Sequence, residues 1–252
     1  RLNTYTEIDE RQLKQFEAAG CEVVPSMNLF NIKPNEKGEP YRAKSRIVVL
    51  GNLEQRTWSK EDKYAPVLGA IGNRLLVSEA VSRGRKVKQG DCKNAFCQPE
   101  LPEDEVVIVK PPKGCPFTPT GKYWKLNKTL YGLCRSPRHW YDKITGALIE
   151  LGFTRCDHDP CLWRTHPSDD TPPVFVGLYV DDFGYFSTTD EQEKWFETEM
   201  QKRFTVEFMG PMSYFLGCRY DWIDHEDGSL SVHISQEGFL EAVLDKFGLE
   251  TS

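Results

Sequence analysis

The chain has 252 residues, 39% hydrophobic and 12% aromatic, enough for a sizeable buried core and too apolar for a disordered segment. No apolar run is long enough to cross a bilayer, and the opening residues carry no signal-peptide pattern, so no membrane association is expected. The net charge of -6 argues against a generic nucleic-acid binder, but it is unevenly spread: residues 31–60 carry seven Lys/Arg against three Glu, residues 121–145 six against one Asp, and residues 186–252 five against fourteen acidic side chains.

In chain order, residues 7–20 predict a short charged helix, with Leu13, Phe16 and Ala19 on one face and Gly20 as its stop. Residues 27–33 and 42–50 predict a hairpin around the turn formers Pro34 to Pro40; on its second strand Arg42, Lys44 and Arg46 alternate and so share one face. Residues 71–83 have helical spacing, with Leu75, Leu76, Ala80 and Val81 apolar, and Gly84 closes them ahead of a short strand over 86–91 that ends in Asp91. Residues 106–110 and 122–126 are strand-like. A helix is expected over 137–150, capped by Ser136 before Pro137 and stopped by Gly152, with Trp140, Ile144, Leu148 and Leu151 as its apolar stripe.

Residues 161–165 and 173–187 are β-rich, the latter interrupted by Asp181 and Asp182, which predicts a hairpin with carboxylates at its turn. A helix over 191–204 follows, then strands over 214–221 and 230–235 around a turn at 225–228, and a last helix over 236–247 capped by Ser235. Strands and helices mix without regular alternation, so the fold class is α+β with an antiparallel sheet. Eight cysteines without a repeated pair spacing read as reduced thiols in an intracellular protein. Cys156, His158 and Cys161 offer three soft ligands without a local fourth, too few for a structural zinc site.

Asp181 and Asp182 lie between two runs expected to be buried, so the pair needs a compensating positive charge or hydration. Asp91, at the end of an independent strand, is the natural third carboxylate. Mg²⁺ prefers oxygen ligands and takes one or two protein carboxylates plus substrate phosphates, so such a trio suits two ions and phosphoryl transfer to a nucleotide.

The segment Gly90-Asp91-Cys92-Lys93-Asn94-Ala95-Phe96 and the segment Tyr179-Val180-Asp181-Asp182 resemble the two catalytic motifs of reverse transcriptases in their copia-type form. Further blocks agree in order: residues 42–51, 64–67, 128–141 (with Tyr131, Gly132, Pro137, Trp140 and Tyr141), 214–217 and 235–239. The resemblance implies palm and fingers subdomains with the start of a thumb over residues 27–248, preceded by the helical extension expected over residues 1–26 from their own spacing, and ribonuclease H and integrase on other parts of a Pol polyprotein. It implies an RNA-directed DNA polymerase that adds deoxynucleotides to a primer, DNA or RNA, on an RNA template. Asp91 and Asp181 would be the principal ligands of two Mg²⁺ ions, with Asp182 supporting and Mn²⁺ as an alternative.

By the same resemblance Lys33, Lys44 and Arg46 are the candidate triphosphate binders. Amides around Asn94 and Ala95 face the nucleotide, Phe96 crowds the sugar 2′-carbon, and Tyr131 lies beside the nucleotide. Gly132, Tyr179, Leu216 and Gly217 are expected at the template and primer. The family also implies a cytoplasmic particle with nuclear access, and a short thumb implies a weak, salt-sensitive grip on template and primer. Gly90 and Cys92 replace the bulkier apolar residues usual beside the first catalytic Asp, and Gly90 is expected to weaken its strand. The rival readings are a catalytically silent relic that binds nucleic acid or a protein partner, and another palm-type nucleotidyltransferase.

Overall fold

A computed structural model describes residues 3–34, 40–166 and 171–249. In chain order its elements are β1 (Tyr5–Ile8), α1 (Glu10–Ala18), β2 (Val23–Pro34), β3 (Pro40–Val49), α2 (Lys60–Lys63), α3 (Ala70–Ser82), β4 (Lys88–Cys92), β5 (Ile108–Lys110), β6 (Tyr123–Leu126) and α4 (Ser136–Glu150). There follow β7 (Phe153–Arg155), β8 (Leu162–Thr165), β9 (Val174–Tyr179), β10 (Asp182–Ser187), α5 (Asp190–Arg203), β11 (Val206–Pro211), β12 (Tyr214–Phe215), β13 (Cys218–Asp224), β14 (Leu230–Ser235) and α6 (Glu237–Phe247). The class is α+β, as expected. The chain divides into two units, residues 1–65 with 94–145 and residues 66–93 with 146–252. Among the described residues no helix is long and apolar enough to cross a membrane.

The first unit is built on a five-stranded sheet of order β1-β6-β5-β2-β3, antiparallel except where β2 runs alongside β5 with Val23 opposite Ile108. Its core joins Val24, Val49, Val109, Trp124 and Leu126, and the Tyr5 ring stacks on Trp124 at 4.5 Å. Helix α1 starts at Glu10, later than the apolar spacing suggests. Asp9 accepts the Gln12 amide while the Gln12 side chain accepts the Asp9 amide, a reciprocal cap that fixes the start. The preceding Tyr5–Ile8 pairs with β6 instead. The expected hairpin is present as β2 and β3, with Leu29 opposite Arg46 and Asn31 opposite Lys44; residues 35–39 of its turn lie outside the described residues. Ser136 does not cap α4: it lies inside the helix, and its hydroxyl donates to the Leu130 carbonyl at 2.6 Å.

The second unit holds a six-stranded sheet of order β11-β4-β10-β9-β8-β7, antiparallel at every pair. Alternation sends Phe183 and Tyr185 to one face, where Phe196 of α5 lies 5.1 Å from Tyr185 ring to ring. Gly184 faces the other way, towards Leu76 of α3 and Met212. Helix α3 buries Leu76, Val77 and Ala80, whereas Leu75, expected on the same stripe, is exposed. The strand expected over 214–221 is broken at Leu216 and Gly217, both at positive φ, into β12 and β13, which with β14 form a third sheet. Helix α6 is capped by Gln236 without a side-chain bond, since Ser235 is used as the last residue of β14.

Candidate active site

The turn between β9 and β10 is two residues long: Tyr179 faces Asp182, and Val180 and Asp181 bridge them. Val180 sits at φ +57°, a region a β-branched residue rarely enters, so the neighbouring ladder must hold the turn in place. That ladder includes β4. The Cys92 amide donates to the Asp181 carbonyl at 2.7 Å, and the register places Asp182 opposite Asp91 and Phe183 opposite Gly90. On its other edge β4 pairs with β11, placing Glu207 opposite Asp91. Residues directly opposite in a sheet have Cβ atoms roughly 4.5–5.5 Å apart on one face, so Glu207, Asp91 and Asp182 stand abreast on three neighbouring strands.

Burial and this concentration of negative charge act together on the Asp182 carboxyl. The Asp182 carboxyl is pushed up to about 6, first by burial and then by the charges of Asp181 and Asp91, against a hydrogen bond from Gln89 and the charge of Lys93. Burial, and then the same three aspartates, raise the Cys92 thiol well above its ordinary range, so Cys92 stays protonated packing material. The nearest cation is internal: Lys93 Nζ lies 2.5 Å from Asp91 Oδ2 and 2.5 Å from Glu207 Oε2. Hydrogen bonds to those two carboxylates hold its ammonium above the usual lysine range. An all-oxygen donor set with surplus negative charge, already holding an ammonium, fits a hard divalent cation. As the side chains stand, no three His, Cys, Asp or Glu groups among the described residues converge tightly enough to enclose one.

The scaffold beneath the carboxylates explains Gly90. A Cβ there would lie 2.3 Å from Phe183 Cζ, so glycine is what lets the Phe183 ring lie across β4. Against the expected propensity loss stands this close packing of an aromatic ring on a glycine strand. On the same strand Lys88 reaches Glu193 at 2.8 Å, and Arg85 reaches the other oxygen of Glu193 at 2.9 Å, tying the approach to Asp91 to α5. Glu193 is 1% exposed, a buried carboxylate balanced by two cations.

The remaining expected residues fall in two groups. In the first unit Arg46 lies 5.6 Å above the Tyr131 ring, which meets the Phe96 ring edge-on at 5.2 Å. The Val49 amide donates to the Tyr131 carbonyl at 2.8 Å, and Gly132, at φ +92°, admits no Cβ because Val49 O would lie 2.0 Å from it. Asn94, at φ +53°, turns the chain into a single 3-10 turn, Ala95–Cys97. Lys44 shares the face of Arg46 on β3, whereas the Lys33 side chain lies outside the described residues. In the second unit the Tyr179 ring meets Phe215 edge-on at 6.4 Å, just before Leu216 and Gly217. Sequence reasoning missed Glu207 and gave Lys93 no role. The apolar alternation Val206, Phe208 is a strand signal, but only the register shows that residue 207 falls beside residue 91.

A family model described as reverse transcriptase (RNA-dependent DNA polymerase) matches residues 17–252. The chain belongs to the reverse transcriptase family. Among curated relatives, this reverse transcriptase chain is 29% identical over 227 residues to the retrovirus-related Pol polyprotein from transposon TNT 1-94 of Nicotiana tabacum, covering 89% of the chain and 16% of that polyprotein. It is 27% and 26% identical to the corresponding polyproteins from transposons RE1 and RE2 of Arabidopsis thaliana, again over 89% of the chain and 15% of each relative. These are copia-type transposons, the group whose motifs the sequence resembles. The chain therefore spans about one sixth of the length of these relatives.

Proposed function

We propose that this reverse transcriptase chain performs RNA-templated DNA synthesis, with Asp91 and Asp181 as principal metal ligands, Asp182 supporting, and two Mg²⁺ ions, or Mn²⁺, as cofactor. The observation that carries the reading is the register that sets Asp91 opposite Asp182 at a turn containing Asp181. The chemistry such ions supply when bound is a lowered pKa at the primer 3′-hydroxyl and neutralisation of the leaving pyrophosphate. The six-stranded sheet of the second unit corresponds to the palm, the β2–β3 hairpin to the fingers, and α6 to the start of a thumb.

The chain's own residues do the positioning. Arg46, with its guanidinium oriented over Tyr131, pairs with phosphate oxygens of the incoming deoxynucleotide, and Lys44 and Lys33 on the same hairpin add charge. Phe96, braced by Tyr131, blocks a sugar 2′-hydroxyl and so selects deoxynucleotides. Tyr179, Leu216, Gly217 and Gly132 contact template and primer. Ribonuclease H and integrase activities reside in other parts of the polyprotein.

The test is primer extension on an RNA template, comparing the chain with Asp181→Asn. Metal-dependent extension with deoxynucleotides is expected, with kcat reduced roughly a thousandfold or more in the variant, as for loss of several kcal/mol of transition-state charge stabilisation. Extension with ribonucleotides alone would overturn the assignment in favour of an RNA polymerase. Inactivity of this chain and of a version lengthened along its polyprotein would instead indicate a silent relic.

A further inference from the structure

Lys93 is the side chain whose placement the proposed chemistry leaves unexplained. Its ammonium touches Asp91 Oδ2, a carboxylate oxygen that a metal ion would need, and at the same time Glu207 Oε2. Both ends of this bridge are fixed by backbone. The Lys93 amide donates to the carbonyl of Thr205, the residue before β11, at 2.8 Å, and within β11 Glu207 is held opposite Asp91. The lysine stem, four carbons long and 45% exposed, can swing between the two without moving either strand. The three partners also differ in exposure, Asp91 at 22%, Lys93 at 45% and Glu207 at 59%, so the ammonium joins a shielded carboxylate to a solvated one.

We propose that Lys93 is a built-in counter-cation of the metal site, which neutralises Asp91 while no metal is bound and swings wholly onto Glu207 when a divalent ion takes Asp91. The inference rests on the proposed role of Asp91 as a metal ligand. Without a cation, Asp91, Asp181 and Asp182 repel one another at the end of a single ladder. An ammonium within reach relieves that repulsion without any change of fold. When the ion arrives, Glu207 keeps the displaced ammonium paired, so the charge of the strand ends stays balanced in both states. A lysine suits this exchange better than an arginine, being a compact, strongly hydrated charge on a flexible stem and not a rigid fork that would clamp the carboxylate in two places. Lys93 is thus a positioning residue: it keeps Asp91 aligned in the empty site and sets a threshold for metal loading.

Binding of Mn²⁺ to the whole 252-residue chain, followed through the resonance of the free ion in solution, tests the exchange without reference to polymerisation. Lys93→Met is expected to lower the dissociation constant by roughly two- to fivefold, the worth of a half-exposed ion pair. Glu207→Gln is expected to raise it by a similar factor, because the ammonium is then confined to Asp91. The effect of Glu207→Gln should shrink when Lys93→Met is already present, since a displacement couples the two residues whereas a simple field effect of their charges adds. Lys93→Gln serves as a second variant of matched polarity. Equal affinity in wild type and both Lys93 variants, or strict additivity in the double variant, overturns the counter-cation role and leaves the metal site standing. Absence of Mn²⁺ binding in the wild type, or binding unchanged by Asp91→Asn, overturns the metal reading and this inference with it.

Discussion

The two units hold their polar side chains by different means. In the second, acidic groups are placed by the backbone: Asp182, Asp91 and Glu207 stand opposite one another on three neighbouring strands, and a fully buried layer of Phe183, Tyr185 and Phe196 fixes the strands beneath them. In the first, the basic groups project from a two-stranded ribbon whose Phe30, Ile32 and Tyr41 are all more than 60% exposed, and Arg46, opposite Leu29 in that ribbon, carries its guanidinium over an aromatic ring and not into a packed layer. The contrast follows the tolerance of the chemistry each group is proposed to serve. Small divalent ions demand near-ideal oxygen geometry, whereas phosphate oxygens can be followed by long, mobile cations.

Breaking the scaffold of the second unit should have the largest effect. Glu193→Ala leaves Arg85 and Lys88 without their buried partner. The loss of unfolding free energy in urea titration should reach about 2–3 kcal/mol, less than the roughly 3–5 kcal/mol of a fully buried pair because both cations keep some solvent. In the first unit, Arg46→Ala should raise the KM for deoxynucleotides about tenfold while moderately lowering kcat, with stability unchanged; a stability loss in place of a KM effect would mean that Arg46 serves the ribbon alone.

Gly90→Ala sharpens the argument from packing. Its Cβ meets Phe183, so overpacking of about 1–3 kcal/mol, offset by roughly 0.5–1 kcal/mol of strand propensity, leaves a net loss near 1 kcal/mol in thermal or urea unfolding. Removing the ring with Phe183→Leu should recover part of that loss in the double variant, and simple additivity would contradict the contact. The last effect is confined to a window of pH and concerns Asp182. Because its pKa is raised to about 6 from an ordinary 3.8, the folded metal-free protein binds more protons than the unfolded chain between those values, and this group makes stability fall as pH rises through that window. Asp182→Asn should therefore be more stable than wild type at neutral pH without metal, with the gain fading as pH falls from 6 towards 4.

Much of this was legible in the residues. The turn at Val180-Asp181, the strand ending at Asp91 and the stripe of Trp140, Ile144 and Leu148 each announce themselves through local pattern, and short-range pattern is what period and turn chemistry encode. The misses were of another kind. The start of α1 depended on whether Asp9 or the apolar spacing would win, and a reciprocal cap with Gln12 decided it. Ser136 looked like a cap, but it is the first residue of the helix and its hydroxyl donates to the Leu130 carbonyl. Gly90 read as a weakness because the Phe183 ring that requires it comes from a strand 93 residues later, and Glu207 was invisible because nothing in its own segment points to residue 91. Contacts between strands distant in sequence carry the information that single-segment reasoning lacks.

The most direct test of the central claim is cleavage by iron bound in place of the proposed magnesium ions. With Fe²⁺, ascorbate and peroxide, hydroxyl radicals formed at the metal cut the nearest backbone, and the fragments are located by mass spectrometry. Cuts confined to the end of β4 around Asp91 and to the Val180-Asp181 turn, suppressed by Mg²⁺ and absent in Asp181→Asn, are the predicted result. Cuts that map elsewhere, or that persist unchanged in Asp181→Asn, would contradict it.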